Sequence, residues 1–178
     1  MPGPTLAGFQ FFIENEMDID VDVLPLNSPY PPLALAVALA IVNPALVCVS
    51  IPSTDSAGVS LNAGGGSIYN LAVYNLAADN LVNYAQDLPD AEPVEGSVSP
   101  QNPDGLPLFA WMRYQFNING FVPGVISSAN DETTGDSYVV QEAAKYFTLK
   151  DLQNLKTPWG RTYLSLAQSY GPTPWGIS

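Results

Sequence analysis

"SIYNLAVYNLAADNLVNYAQDL" (67–88) is the stretch with the clearest single period in the chain. Leu71, Tyr74, Ala78, Leu81 and Ala85 recur every three or four residues, the spacing of one helix face. Ile68, Ala72, Asn75, Asp79 and Val82 form a second stripe beside it. Ser67 stands where a side-chain oxygen can cap the first turn. These features predict a helix over 67–86. Asn70, Asn75, Asn80 and Asn83 lie mostly to the other side, and Asn is a poor helix former. Four of them suggest either polar contacts with neighbouring elements or an exposed face.

Working upstream, "LALAVALAIVNPALVCV" (33–49) contains a helix over about 31–43 that is apolar on nearly every face. Such a helix is central in a core or covered by neighbours. Asn43-Pro44 ends or kinks it, and the interrupted run is shorter than the ~20 residues of a membrane span. Asn27 or Ser28 can cap its start. Nearer the N-terminus, Thr5 can cap a helix carrying Leu6, Phe9, Phe12, Ile13 and Met17, and the first residues show no signal-peptide pattern. "ENEMDIDVDV" (14–23) alternates acid with apolar residues and reads as a short strand or turn with a solvated acidic edge. Asp18, Asp20 and Asp22 have the spacing of a calcium loop, but the turn glycine falls on Val23 and the bidentate glutamate on Pro29.

Downstream, 89–107 is a Pro- and acid-rich loop, and "LFAWMRYQFN" (108–117) is a short helix ended by Asn119-Gly120. Two β-rich segments flank the polar tip "SANDETTGD", so 122–142 is expected to be a hairpin arm. Thr148 and Asp151 form a capping-box pair for another short helix. Pro158 either stops that helix or opens the next, "PWGRTYLSLAQSYG", which Gly171 ends. The expected fold class is mainly α: one domain over 1–178, a helical bundle core with a β-hairpin arm and an extended C-terminal tail over 171–178.

The charge is lopsided. Of 17 acidic and 5 basic residues, every base lies at or after Arg113, and the chain carries a net charge of −12. Such a surface repels nucleic acid, and clustered Lys/Arg for a phosphate backbone is missing. The triple glycine of 64–66 precedes a helix without a lysine, so a connector reading is favoured over a phosphate cradle. With no His, the chain holds neither a Ser-His nor a Cys-His pair, and Cys48 alone reads as a buried thiol in an apolar run. A carboxylate-only hydrolase would need one acid pair to stand out, and none does. The expectation is a non-enzymatic protein without cofactor or metal.

"TPWG" occurs twice, at 157–160 and 173–176. Pro172 and Pro174 hold the second copy extended, and Trp175 supplies the large apolar area typical of binding hot spots. Gly176 allows close backbone approach, and Ile177 adds an apolar contact. Trp175 either anchors in another subunit's groove or folds back on this chain's own core. Trp159, at a helix start, reads first as a structural residue.

The tracts "ALAIVNPAL", "IYNLAVYNLAADNLVNYAQD" and "GVISSANDETTGDSYVV", followed by "TLKDLQNLKTPWGRTYLSLAQSYG", resemble tailed-bacteriophage head–tail connector proteins, also called adaptor or head-completion proteins. The match spans about two thirds of the chain, and "TPWGRTYL" (157–164) is its most specific part. The stretch 89–121 is longer than that pattern. The resemblance implies a structural virion protein in the neck between capsid and tail, assembled in the host cytoplasm. It implies a homo-oligomeric ring, most often a dodecamer, that docks on the portal protein and meets a tail-side structural protein, with DNA passing through its channel. Neither sequence-specific nucleic-acid binding nor a membrane is implied. Partner-binding candidates are Pro174, Trp175, Gly176 and Ile177 in the tail, and Trp159, Arg161 and Tyr163 in the motif. The alternative is a tail-side or baseplate structural subunit, or a host-surface binding module.

Overall fold

A computed structural model of the chain describes residues 3–20, 24, 27–48, 68–87, 92–96, 98, 104–120, 128–130, 135–137 and 153–170. Five helices dominate them: α1 (Leu6–Glu16), α2 (Tyr30–Ile41), α3 (Ile68–Tyr84), α4 (Leu108–Gln115) and α5 (Pro158–Tyr170). A 3-10 turn, Pro44–Cys48, follows α2. The protein is mainly helical, as its apolar periods predict.

The periodic stretch of 67–86 forms α3, and α3 is the axis of the molecule. Helices α2 and α5 both pack against it, and α1 and α4 touch it as well. It is therefore buried on almost every side, from Ala72 to Val82 without a break. Phe9, Phe12 and Ile13 of α1, Leu35 and Ala38 of α2, and Leu46 join its Leu76 and Leu81 in one apolar core. Asn70, Asn75 and Asn80 are buried with it, so the exposed-face reading of these asparagines does not hold. Asn75 and Asn83 bond back to the carbonyls of Leu71 and Asp79 one turn earlier, at 2.9 and 2.8 Å. That satisfies their amides within the helix.

Helix α1 starts where its cap predicts: Gly8 N–H donates to Thr5 Oγ1 at 3.1 Å. Tyr74 ties this start to α3, accepting from Thr5 N–H at 3.1 Å. The helix ends at Glu16 with Met17 as C-cap, Asp18 with a φ of 54° then reverses the chain, and Ile19 N–H returns to Ile13 O at 3.3 Å. The acidic alternation after α1 is thus a turn rather than a strand through Asp20.

Helix α2 departs from expectation in two ways. No side chain caps it in the usual sense: Pro29 is the N-cap, and Ser28 Oγ accepts from Tyr30 N–H at a long 3.5 Å. It is also neither central nor covered all round. Pro31, Ala34, Leu35 and Ala38 are buried, while Leu33 and Val37 on the other side are exposed. The helix stops at Ile41 with Val42 as its C-cap, just before Asn43-Pro44, and Asn43 Oδ1 accepts from Ala45 N–H at 2.9 Å at the start of the 3-10 turn.

Helices α3 and α4 cap each other. Asp87, just past α3, accepts from Phe109 N–H at 2.7 Å and Ala110 N–H at 3.0 Å, two of the orphan donors of α4's first turn. Arg113 of α4 donates in return from Nε to Val82 O at 2.8 Å and from Nη2 to Ala85 O, two carbonyls at the end of α3. Val94 N–H to Leu106 O, at 3.0 Å, closes the acidic loop between them. After α4 the chain turns at Asn117, with φ of 50°.

The β-hairpin arm expected over 122–142 is not supported. The described residues hold a ladder of three residues per strand, Ser128–Asn130 antiparallel to Gly135–Ser137, with Ser128 opposite Ser137. A ladder this short does not make an arm, and its flanks lie outside the described residues. The C-terminal tail over 171–178, the triple glycine, the caps at Ser67 and Thr148, and the Cys48 side chain also lie outside them.

Candidate functional site

The first TPWG copy is a helix start, and each residue has a physical reason to be there. Thr157 is the cap: its Oγ1 accepts from Gly160 N–H at 2.9 Å, the donor three positions into α5. Pro158 occupies the first helical position, where its missing N–H costs nothing and its fixed φ suits the turn. The same Thr157 hydroxyl donates to Asp79 Oδ1 of α3 at 2.5 Å. Both residues are buried, Thr157 0% and Asp79 2% exposed. At 2.5 Å the bond is at the short end of the range for a hydroxyl donor and an oxygen acceptor.

Gly160 is required by contact. A Cβ there would lie 2.0 Å from Asn154 O and 2.7 Å from Asp79 Oδ1, so no other residue fits without moving backbone. Trp159 is half-buried and meets Phe116 edge-on, ring centres 5.6 Å apart at 87°. That geometry is favourable for aromatic pairs. It bears out the structural reading of Trp159. Tyr163 is half-buried against the core, and Leu164 is buried. Arg161 is exposed, its Nη1 donating to Leu155 O at 3.1 Å. Among the motif's three candidates, then, Trp159 and Tyr163 pack inward and Arg161 faces solvent. Pro174, Trp175, Gly176 and Ile177 lie outside the described residues.

Beside this seat opens a polar cleft of about 200 Å³, lined by Asp79, Asn80, Asn83, Tyr84, Ile118, Asn119, Gln153, Asn154 and Lys156. Asn80 is 7% exposed, and its Nδ2 has no hydrogen-bond partner. Most of the lining groups are carboxamides, which neither release nor take up protons near neutral pH. Such a set holds polar groups in place by hydrogen bonds. No group of three or more metal-binding side chains occurs among the described residues. None of the described helices is long and apolar enough to cross a membrane.

Asp79 and Asn154 are the site residues that sequence reasoning missed, and Asn80 was noted only among the helix asparagines. A signal for Asp79 was present: it falls in the second apolar stripe between Asn75 and Val82, where a carboxylate is inside and needs a donor. Asn80 stood out in the sequence only as one of four helix asparagines, with nothing to mark its Nδ2 as the unpartnered one, and nothing pointed to Asn154. The chain matches no protein-family model, no curated protein and no solved structure.

Proposed function

We propose that this chain is a structural virion protein of the head–tail connector kind, one subunit of a ring between portal and tail with DNA passing through its channel. The observation that carries the reading is the seat of the first TPWG. The segment most specific to the resemblance is fixed to the central helix by a buried carboxylate and a glycine that admits no side chain. A helix anchored so firmly at its start is a rigid base from which the following residues, 171–178, can reach a partner. The acidic excess of residues 1–112, which contain 12 acids and no base, suits a channel wall that does not hold DNA. The dodecamer, the portal, the tail-side protein and the neck location belong to this proposal.

In this reading Trp175 is an anchor in a neighbouring protein's groove, supported by Pro174, Gly176 and Ile177, and Arg161 and residues 122–142 contact neighbours. Particle class averages of the full chain, alone and with a portal, test the ring directly. A twelve-fold ring on the portal is the expected result, and a lone globule in both samples overturns the reading. Trp175→Ala should weaken portal binding by about 2 kcal/mol or more if Trp175 is a hot spot, without changing the free subunit's unfolding. Deleting 129–136 should change monomer stability by no more than ~1 kcal/mol while weakening assembly.

A further inference from the structure

The outer side of α2 is an exposed apolar face among the described residues. Leu33 is 62% and Val37 38% exposed, and Ala36 and Ala40 between and beyond them are exposed too. These four positions follow the i, i+3, i+4, i+7 rule, so they form one stripe. It lies on the opposite side of the helix from buried Pro31, Ala34, Leu35 and Ala38. The rest of the exposed rim of α2 is Pro32 and Leu39, also apolar. On α1, which packs against α2, Leu6 and Phe11 add exposed apolar area.

We infer that this face pairs with the same face of a second copy, with the two α2 helices antiparallel about a two-fold axis. The first ground is shape. Large residues, Leu33 and Val37, occupy the first and third positions of the stripe, and small ones, Ala36 and Ala40, the second and last. An axis between Ala36 and Val37 sets Leu33 over the partner's Ala40 and Val37 over the partner's Ala36. Each large side chain then meets a small one, and the stripe is its own complement, as a two-fold contact requires.

The second ground is charge. No charged residue occurs between Asp22 and Asp55, although the chain as a whole carries −12. Two copies repel one another over most of their surfaces and least where this segment is exposed. An anionic lipid surface would meet the same repulsion without the shape match. A helix of twelve residues is about 18 Å long, so the contact covers less than the ~800 Å² per partner of a standard stable interface. A contact of that size is the kind made by a weak, reversible pair.

This contact is independent of the ring reading. A ring closes through unlike surfaces, whereas the two-fold contact alone yields a dimer and, added to a ring, joins two rings face to face.

The test is sedimentation velocity of the full chain from about 1 μM to about 1 mM, the span of weak affinities. A monomer–dimer equilibrium is expected, and it tightens several-fold as NaCl rises from about 0.1 to 1 M and the screening length falls from ~10 to ~3 Å. Leu33→Glu should weaken the dimer at least tenfold while leaving the circular dichroism spectrum unchanged. In a Cys48→Ser background, Val37→Cys should give a disulfide-linked dimer on mild oxidation. A monomer at every concentration and salt overturns the proposal, as does a dimer that Leu33→Glu leaves intact. A monomer whose Val37→Cys thiol resists labelling also overturns it, because the chain's own residues then cover the face. A portal-bound ring that survives Leu33→Glu, in a chain without this dimer, would uphold the ring reading alone. A dimer lost in Leu33→Glu with no ring on any portal would uphold the pairing alone.

Discussion

Helices α2 and α3 invert the usual relation between hydropathy and depth. Helix α2, "YPPLALAVALAI", has no polar side chain after its first residue, yet one whole side is bare. Helix α3 carries Asn70, Asn75, Asp79, Asn80 and Asn83, yet it is the buried axis. The difference lies in partners. Asp79 has the Thr157 hydroxyl, and Asn75 and Asn83 have carbonyls of their own helix. Polar groups matched in this way can be buried at little net cost, whereas an apolar surface is buried only where another surface arrives to cover it.

The sharpest way to break this comparison is to make one change in both helices. Ala77 of α3 is fully buried, so Ala77→Asp places an unpaired charge in the core and should cost more than ~4 kcal/mol, enough to unfold a domain of ordinary stability. Ala36→Asp on the outer side of α2 should cost less than ~1 kcal/mol, mostly helix propensity. Urea unfolding at low protein concentration measures both, and similar losses would erase the distinction drawn here.

A second experiment sets contact against propensity. Elsewhere in a helix Gly→Ala gains about 1 kcal/mol. At Gly160 the added methyl runs into Asn154 O and Asp79 Oδ1, so Gly160→Ala should lose about 3 kcal/mol instead. A stabilised variant would show that α5 does not press on α3 as described.

Next in size is the buried bond itself. Thr157→Val keeps the shape but removes both the cap and the donor to Asp79, for an expected loss of about 2 kcal/mol. In a double-mutant cycle with Asp79→Ala the two changes should couple by about 1–3 kcal/mol, and additive losses would mean the hydroxyl and carboxylate act separately.

The smallest effect has the opposite sign. Asn80→Ala removes a buried amide nitrogen without a partner and a poor helix former, so stability should rise by up to about 1 kcal/mol. A loss of that size would show that the Asn80 amide holds a water in the cleft.

How much of this was legible beforehand varies with the kind of cause. Helix α3 was readable because its apolar period is local, and so was the Thr5 cap, which needs only the residues beside it. The mutual capping of Asp87 and Arg113 was not, because it joins positions more than twenty residues apart with no local signal at either. Hydropathy overstated α2, since a run of Leu, Ala and Val shows that a surface is apolar and says nothing about what covers it. In the site, the helix start at Pro158 and the structural place of Trp159 could be read from Thr-Pro-Trp-Gly. The need for Gly160 could not, because it arises from Asn154 and Asp79 meeting it in space.

The exchange of caps between Asp87 and Arg113 also bears on how the molecule can be engineered. Both helix ends are fastened by their own bonds, and Val94 to Leu106 closes the intervening loop a third time. The acidic loop is therefore not what holds α3 and α4 together. Doubling its length should cost only ~0.6 kcal/mol of closure entropy. A reporter peptide spliced in beside Val98, an exposed position, should leave the helical frame unfolding at nearly the same urea concentration, giving a place to label the subunit without disturbing α2 or the α5 seat.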